Sequence, residues 1–470
     1  MTSNDAVEQV EPAHLRRVVV ASSLGNFVEW FDFAVYGFMA TAIARHFFPS
    51  DDPTIGLLQT FAVFAVGFAA RPIGGLVFGV LGDRIGRKRV LSLTVLLIGA
   101  STTAIGVLPT YESIGITATV LLCVARTIQG FSAGGEYAGA CTYVVEHAPA
   151  DRRARYSSFL PAGTFLAFAA AAGISFGVSA LLGPDGVDAW GWRIPFLVAA
   201  PIGLLGFYIR HRLDESPAFR RIETDHGAPE AAPLRVALGT HWRSMLLLGG
   251  VVSASGLGFY TLTTYMSTYV QVVAMRPATV ALLASVAALT FCTALSPFAG
   301  RISDRIGRRP TAIAAYLLLG SGSVPAFLLV SGGSTWLVVL GQVLLSTGVV
   351  LSLVLVAVLM SELFPTQVRF TASALTYNVA YTIFGGTAPF MATFLIALTD
   401  DPLAPAYYLV AVSVLALTSS IAIPETAGRP LSSTDTPPAG RGAGPPPGAA
   451  EVPVAPAPGH PTHAPSRRSR

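Results

Sequence analysis

Long apolar runs, each closed off by charged residues or by clusters of proline and glycine, fill most of the chain between Val18 and Pro424. Twelve separate on this criterion. Six fall at 18–44, 57–82, 89–108, 117–145, 155–182 and 194–210, and six more at 244–270, 277–300, 310–331, 336–361, 370–398 and 404–424. Crossing about 30 Å of hydrocarbon takes roughly 20 helical residues, which matches these lengths. None shows the apolar/polar alternation of a membrane β-strand, and a helix satisfies its own backbone groups in lipid. The pattern predicts an all-α integral membrane protein with twelve transmembrane helices. Its parts are an N-terminal tail (1–17), a six-helix unit (18–210), a polar connector (211–243), a second six-helix unit (244–424) and a tail (425–470). The last segment is rich in Pro, Gly, Ala and Ser, cannot bury a core, and is expected to be disordered.

Composition agrees. Hydrophobic residues make up 52% of the 470, charged residues only 12%, and mean hydropathy is +0.60. A soluble domain carries about a quarter charged residues, so the outside of this chain must face lipid. The first residues are acidic (Asp5, Glu8, Glu11) and the run from Val18 is too long for a cleaved signal, so it reads as an uncleaved first span. Cys123, Cys141 and Cys292 lie in apolar runs without metal-site or disulfide spacing, and the eight histidines sit in tails, loops and span ends. No metal or cofactor is expected, nor is an enzyme: no nucleophile–base pair or phosphate loop is present.

Charge orients the spans. With the N-terminus in the cytoplasm, 25 of the 30 Lys+Arg fall in the even-numbered loops and the tails, three (Arg45, Arg193, Arg276) fall on the other side, and Arg71 and Arg126 lie within spans. This is the positive-inside asymmetry of a multi-pass protein in the cell membrane, both termini cytoplasmic. The net charge of +4 reports orientation, not nucleic-acid binding.

The two halves share a loop motif. After the second span the chain reads Gly79-Val-Leu-Gly-Asp83-Arg84-Ile-Gly86-Arg87-Lys88; after the eighth it reads Gly300-Arg-Ile-Ser-Asp304-Arg305-Ile-Gly307-Arg308-Arg309, a constant offset of 221. Glu146, Pro149 and Arg153 after the fourth span are matched by Glu362, Pro365 and Arg369 after the tenth. A duplicated unit is how many secondary carriers are built. The first glycine of each motif admits a close neighbour helix, the later one a tight reversal. The Asp, Glu and Arg side chains can form charge-assisted bonds that hold the cytoplasmic side shut.

These loops carry the G-x-x-x-D-R-x-G-R-K/R signature, and the chain thereby resembles the major facilitator superfamily. Further segments resemble its metabolite:proton symporter subgroup: Gly25-Asn26-Phe-Val-Glu29-Trp30-Phe31-Asp32-Phe33, Arg71-Pro72, Gln129-Gly130-Phe-Ser-Ala-Gly134-Gly135-Glu136-Tyr137 and Trp190-Gly-Trp192-Arg193. Phe47-Phe48-Pro49 and Glu425-Thr-Ala-Gly-Arg429-Pro430-Leu431 are similar to the proline/glycine-betaine carriers within it. The resemblance implies two six-helix bundles around a central cavity, and proton-coupled uptake of a small carboxylate-bearing metabolite such as proline or glycine betaine. Di- and tricarboxylates and cyclic acids are alternative substrates, and a non-transporting membrane sensor is the alternative from another class. The expected partners are the lipid bilayer, the substrate and the proton; the protein is expected to act as a monomer.

Charges inside a bilayer are expensive and mark function. In the first span Glu29, Asp32 and Tyr36 share one helical face. The fourth holds Arg126, Gln129 and Glu136; the seventh carries a polar stripe with Tyr260 and Thr264; the eleventh adds Asn378 and Tyr381. Arg126 is the expected partner of a substrate carboxylate, with Trp30, Tyr36, Tyr260 and Tyr381 as ring faces for an ammonium group. Glu29, Asp32 and Glu136 are the choices for the proton carrier, and a structural pair between Arg126 and Asp32 or Glu29 is the competing reading. For Arg71, snorkelling or helix packing weighs as much as substrate contact.

Overall fold

The computed structural model describes residues 12–85, 87–134, 136–212 and 233–431. Eleven helices among the described residues are long and apolar enough to cross a membrane, and a twelfth, Arg87–Val107, has a shorter apolar stretch at Ser92–Val107. In order, span 1 is Pro12–Phe38 continued by Ala40–Phe47, span 2 Pro53–Ile85, span 3 Arg87–Val107, and span 4 Ile116–Ser132 with Glu136–His147. A short helix, Arg153–Ser157, precedes span 5 (Phe159–Ala189), and span 6 is Ile194–Arg212. Span 7 joins Trp242–Tyr260, a π-helical turn at Thr261–Tyr265, and Met266–Val272. Spans 8, 9 and 10 are Ala278–Ile306, Arg308–Ser331 and Thr335–Glu362. Span 11 joins Arg369–Ala380, a second π-helical turn at Tyr381–Gly386, and Ala388–Thr399; span 12 is Ala404–Ala422. The connector ends in a helix, Pro233–Thr240; its residues 213–232 and the tail from 432 lie outside the described residues.

Two expected single helices are broken. Span 1 breaks at Met39, and span 4 breaks after Ser132, at Ala133 and Gly134, just before Gly135 in the sequence. Glycine costs a helix interior about 1 kcal/mol, so a pair of them at mid-span is a natural weak point.

Packing repeats at matched positions in the two halves of the chain. Span 1 packs on 5 as 7 does on 11, span 2 on 4 as 8 on 10, and span 3 on 6 as 9 on 12. Across the halves span 5 meets 8 and span 2 meets 11, while span 1 meets 7 and span 4 meets 10. Backbones come close between spans 2 and 4. A Cβ on Gly67 would stand 3.1 Å from the Arg126 carbonyl oxygen, and one on Gly75 2.5 Å from that of Gly134. Small residues permit such approach, which packing rather than hydrophobic force must drive in lipid. The consequence for the site is direct: Arg71 and Arg126 are brought side by side on touching helices.

Candidate functional site

At mid-span the two halves enclose an aromatic chamber. Trp30 is its wall on span 1, with ring centroids 5.6 Å from Phe259 and 6.4 Å from Tyr260 on span 7. Its orientation is fixed from behind. The indole N–H donates to Asn26 Oδ1 (2.8 Å), and Asn26 Nδ2 donates to the Leu160 carbonyl (2.9 Å) and to Thr164 Oγ1 (2.6 Å) on span 5. Tyr260 meets Phe68 at 5.0 Å, Phe64 at 5.7 Å and Tyr381 at 6.0 Å. Tyr137, Tyr377 and Tyr381 form a stacked ladder with centroids 5.2 and 4.2 Å apart.

Two guanidinium groups sit among these rings. Arg71 is only 2% exposed, which excludes snorkelling. Its Cζ lies 4.9 Å from the Phe33 and Phe68 centroids and 5.3 Å from Trp30, and its Nη2 is 3.4 Å from Glu29 Oε1. Arg126 is fully buried, 4.1 Å over the Tyr36 ring, 5.0 Å from Phe64 and 5.4 Å from Phe33. It donates to Gln129 Oε1, and Gln129 Nε2 donates to Thr102 Oγ1 on span 3 (2.7 Å). No described carboxylate lies within 4.0 Å of Arg126, so the expected pair with Asp32 or Glu29 is absent; Glu29 takes Arg71 instead.

Other expected residues prove to be engaged. The Tyr36 hydroxyl donates to the Thr60 carbonyl (2.9 Å), leaving its face to Arg126. Asn378 donates across the halves to the Gly134 carbonyl (3.0 Å) and to Ala374 (2.9 Å), acting as a cross-link. The polar stripe of span 7 does not run as one α-helical face, because the π-turn from Thr261 to Tyr265 adds a residue to the winding. Thr264 instead packs on Gly37 of span 1, where a Cβ would stand 2.8 Å from its Cγ2. The side chain of Glu136 lies outside the described residues.

Several buried polar atoms of these side chains have no hydrogen-bond partner among the described residues. They include Nε and Nη1 of Arg71, Nε and Nη2 of Arg126, Oδ1 of Asp32, Oγ1 of Thr264, and the hydroxyls of Tyr137, Tyr260 and Tyr377. Buried polar groups are satisfied in more than nine cases in ten as a rule. Most of these open atoms can donate a hydrogen bond.

The second loop motif forms a compact network of hydrogen bonds and ion pairs. Gly300 is where span 8 touches the short helix before span 5, since a Cβ there would stand 2.5 Å from the Ala154 carbonyl oxygen. Asp304 then accepts from the N–H groups of Ala154 (3.0 Å) and Arg155 (2.9 Å), capping the short helix before span 5, and from Arg308 Nη1 (2.9 Å). Gly307, with φ 100°, turns the chain into span 9. Arg308 holds Glu362 through two bonds of 3.0 Å, Arg153 stands 3.8 Å from the same carboxylate, and Arg369 Nη1 donates to Glu146 Oε1 at 2.6 Å. Arg305 and Arg309 are exposed. Glu425 accepts from the N–H groups of Arg308 (2.8 Å), Arg309 (3.1 Å) and Ala427 (2.9 Å), and Arg153 Nη1 donates to the Arg429 carbonyl (2.6 Å). Of the first copy, Gly86 lies outside the described residues, and so do the side chains at 79, 83, 84, 87 and 88. At the opposite end Thr41 donates to Gln271 Oε1 (3.4 Å).

Sequence reasoning underrated Arg71 and missed Thr102 and the rings of Phe33, Phe64, Phe68 and Phe259. An arginine in an otherwise apolar run was the available signal for Arg71, and the Ser101-Thr102-Thr103 cluster for Thr102. The phenylalanines had none, because aromatic residues in a membrane span are ordinary.

The Major Facilitator Superfamily model matches residues 22–389. The proline/betaine transporter of Salmonella typhimurium is 37% identical over 90% of this chain and 86% of its own. The glycine betaine/proline/ectoine/pipecolic acid transporter OusA of Dickeya dadantii is 37% identical over 91% and 87%. The ectoine/proline transporter of Corynebacterium glutamicum is 38% identical over the same shares. Among solved structures, the partially occluded inward-open xylose transporter XylE of E. coli superposes with TM-score 0.70 at 18% identity, covering 89% of this chain and all of that one.

Proposed function

Because the chain belongs to the major facilitator superfamily, we propose that it is a secondary active transporter in the bacterial cell membrane that takes up a small zwitterion of the proline/glycine-betaine type together with a proton. The observation that carries this reading is the chamber itself: open donors on Arg126 and the tyrosines beside a box of aromatic faces. A carboxylate completes the Arg126 fork, which grips two oxygens in parallel. An alkylated ammonium lies on the rings of Trp30, Phe259 and Tyr260, where cation–π attraction is worth ~2 kcal/mol or more once water is excluded. Of the two guanidinium groups among these rings Arg71 already faces Glu29, which leaves Arg126, and a single guanidinium suits a monocarboxylate better than citrate or 2-oxoglutarate. The names of the relatives point to the same ligand class.

The units 18–210 and 244–424 rock about this chamber as monomeric alternating-access bundles, with both termini in the cytoplasm. The Asp304 and Glu146–Arg369 contacts close the cytoplasmic side, and the Thr41–Gln271 contact lies on the outer one. The test is uptake of labelled proline, glycine betaine, 2-oxoglutarate, citrate and shikimate in a host lacking such carriers. Accumulation of the first two, abolished by a protonophore, is the expected result. Uptake of only the polycarboxylates, or none at all, overturns the reading.

A further inference from the structure

A guanidinium can present two forks to a carboxylate, and the two share one nitrogen. One fork pairs Nε–H with Nη2–H along the side of the group, and the other pairs Nη1–H with Nη2–H across its end. Arg71 faces Glu29 through Nη2, the nitrogen common to both forks, and its open atoms, Nε and Nη1, lie on different edges. Arg126 is engaged through Nη1 instead, by Gln129 Oε1, and its open atoms are Nε and Nη2. The whole side fork of Arg126 is therefore free, and the residue that decides which fork is free is Gln129.

The orientation of that amide is forced in turn. An arginine only donates, so the Gln129 atom turned to Arg126 is the carbonyl oxygen, and the nitrogen is left to face Thr102. Thr102 Oγ1 accepts from it at 2.7 Å and donates to the Ile98 carbonyl, one turn back in span 3, at 2.9 Å. Arg126, Gln129 and Thr102 are all fully buried. Beside Gln129, a Cβ on Gly130 would overlap the Gly67 carbonyl oxygen, so the backbone of span 4 is held directly against span 2. The Tyr36 ring, 4.1 Å from the Arg126 Cζ, attracts the cation but favours no edge of it, since the ring acts on the charge as a whole. The choice of edge falls to the amide.

We infer that Gln129 and Thr102 are positioning residues for substrate binding, which together aim the Nε–Nη2 fork of Arg126 at the substrate carboxylate. This rests on the reading of Arg126 as the partner of that carboxylate. Neither residue brings charge to the site. What they supply is preorganisation, since a guanidinium already held in its bound orientation loses less freedom when the ligand arrives. Without Gln129 Oε1 all three nitrogens of Arg126 are open and either fork can turn to the ligand, so the carboxylate meets the side fork only part of the time. Without the Thr102 acceptor the buried amide nitrogen of Gln129 loses its partner, and the amide leaves its pose to find another.

The test is equilibrium binding of labelled glycine betaine to the full-length protein in lipid nanodiscs, run as a double-mutant cycle. Gln129→Leu should weaken binding about tenfold and Thr102→Val about threefold, the scale of one charge-assisted and one neutral hydrogen bond. Thr102→Ser keeps the acceptor and should bind like wild type. Lysine has no fork to aim, so in an Arg126→Lys background neither Gln129→Leu nor Thr102→Val should weaken binding further. A residue that merely packs would cost the same in both backgrounds. Equal losses in the two backgrounds, or wild-type affinity in Gln129→Leu, overturn the inference. If Gln129→Leu does not fold, Thr102→Val set against Thr102→Ser carries the same comparison. Arg126→Ala is the control on the underlying reading: undiminished affinity there defeats the reading of Arg126, whereas lost affinity there with equal losses in the two backgrounds defeats the aiming alone.

Discussion

Asp304 reaches from the last turn of span 8 to the other half of the chain and accepts the backbone N–H of Ala154 at 3.0 Å. A charged acceptor at a helix start is also favoured by the partial positive charge there. One carboxylate therefore ties together the two elements that must separate if the cytoplasmic side is to open. Asp304→Asn should lower the uptake rate about tenfold, since a charge-assisted bond is worth ~1.5–3 kcal/mol, with expression unchanged. Labelling of a cysteine placed at the gate should speed up at the same time. A variant that transports normally would remove the gate role from this loop.

Arg126 is the second case. Arg126→Ala should weaken binding of proline or glycine betaine about 100-fold, and Arg126→Lys about tenfold, because lysine keeps the charge but not the fork. Since no described carboxylate pairs with Arg126, neutralising Asp32 in addition should not restore binding. Equilibrium binding to purified protein decides this, and a rescued double variant would assign Arg126 to the scaffold.

The Glu29–Arg71 pair predicts a stability pattern. Removing one member of a buried ion pair strands the other and costs ~3–5 kcal/mol, whereas replacing both is often close to neutral. Glu29→Gln and Arg71→Gln should each lower the melting temperature in detergent, and the double variant should recover most of the loss. Additive losses would show that the two side chains do not act as a pair.

Glu425 predicts a pH dependence outside the membrane. Burial pushes its carboxyl up, but the N–H donors of Arg308, Ala427 and Arg309 and the Arg308 charge outweigh this and hold it below the usual range. A group whose folded value is depressed stabilises the fold above its unfolded value, and that contribution is lost as pH falls through the folded one. Wild type should therefore outlast Glu425→Gln in melting experiments at pH 7, with the gap closing below about pH 4. A gap independent of pH would mean that the carboxylate charge is immaterial.

The twelve spans and the gate motif were legible because both are written locally, in runs of apolar residues and in a duplicated ten-residue string. Chamber membership is a matter of which face of each helix turns inward and which helices touch. Glu29 and Asp32 share a face, yet Glu29 meets Arg71 while Asp32 Oδ1 has no hydrogen-bond partner among the described residues. The partner that Asn378 finds, a backbone carbonyl 244 residues away, could not be read from its own span. The π-turns at Thr261–Tyr265 and Tyr381–Gly386 left no trace in the apolar pattern, which is tolerant of one extra residue per turn.

The backbone contact between Gly67 and Arg126 has a consequence for the empty carrier. Two like charges on spans 2 and 4 are held near the same Phe33 ring by helices that cannot drift apart without losing that contact. Their repulsion is met once, during folding, so on the function proposed above a substrate carboxylate would meet a field already oriented for it. A methyl group added at Gly67 would alter that field without touching the substrate at all.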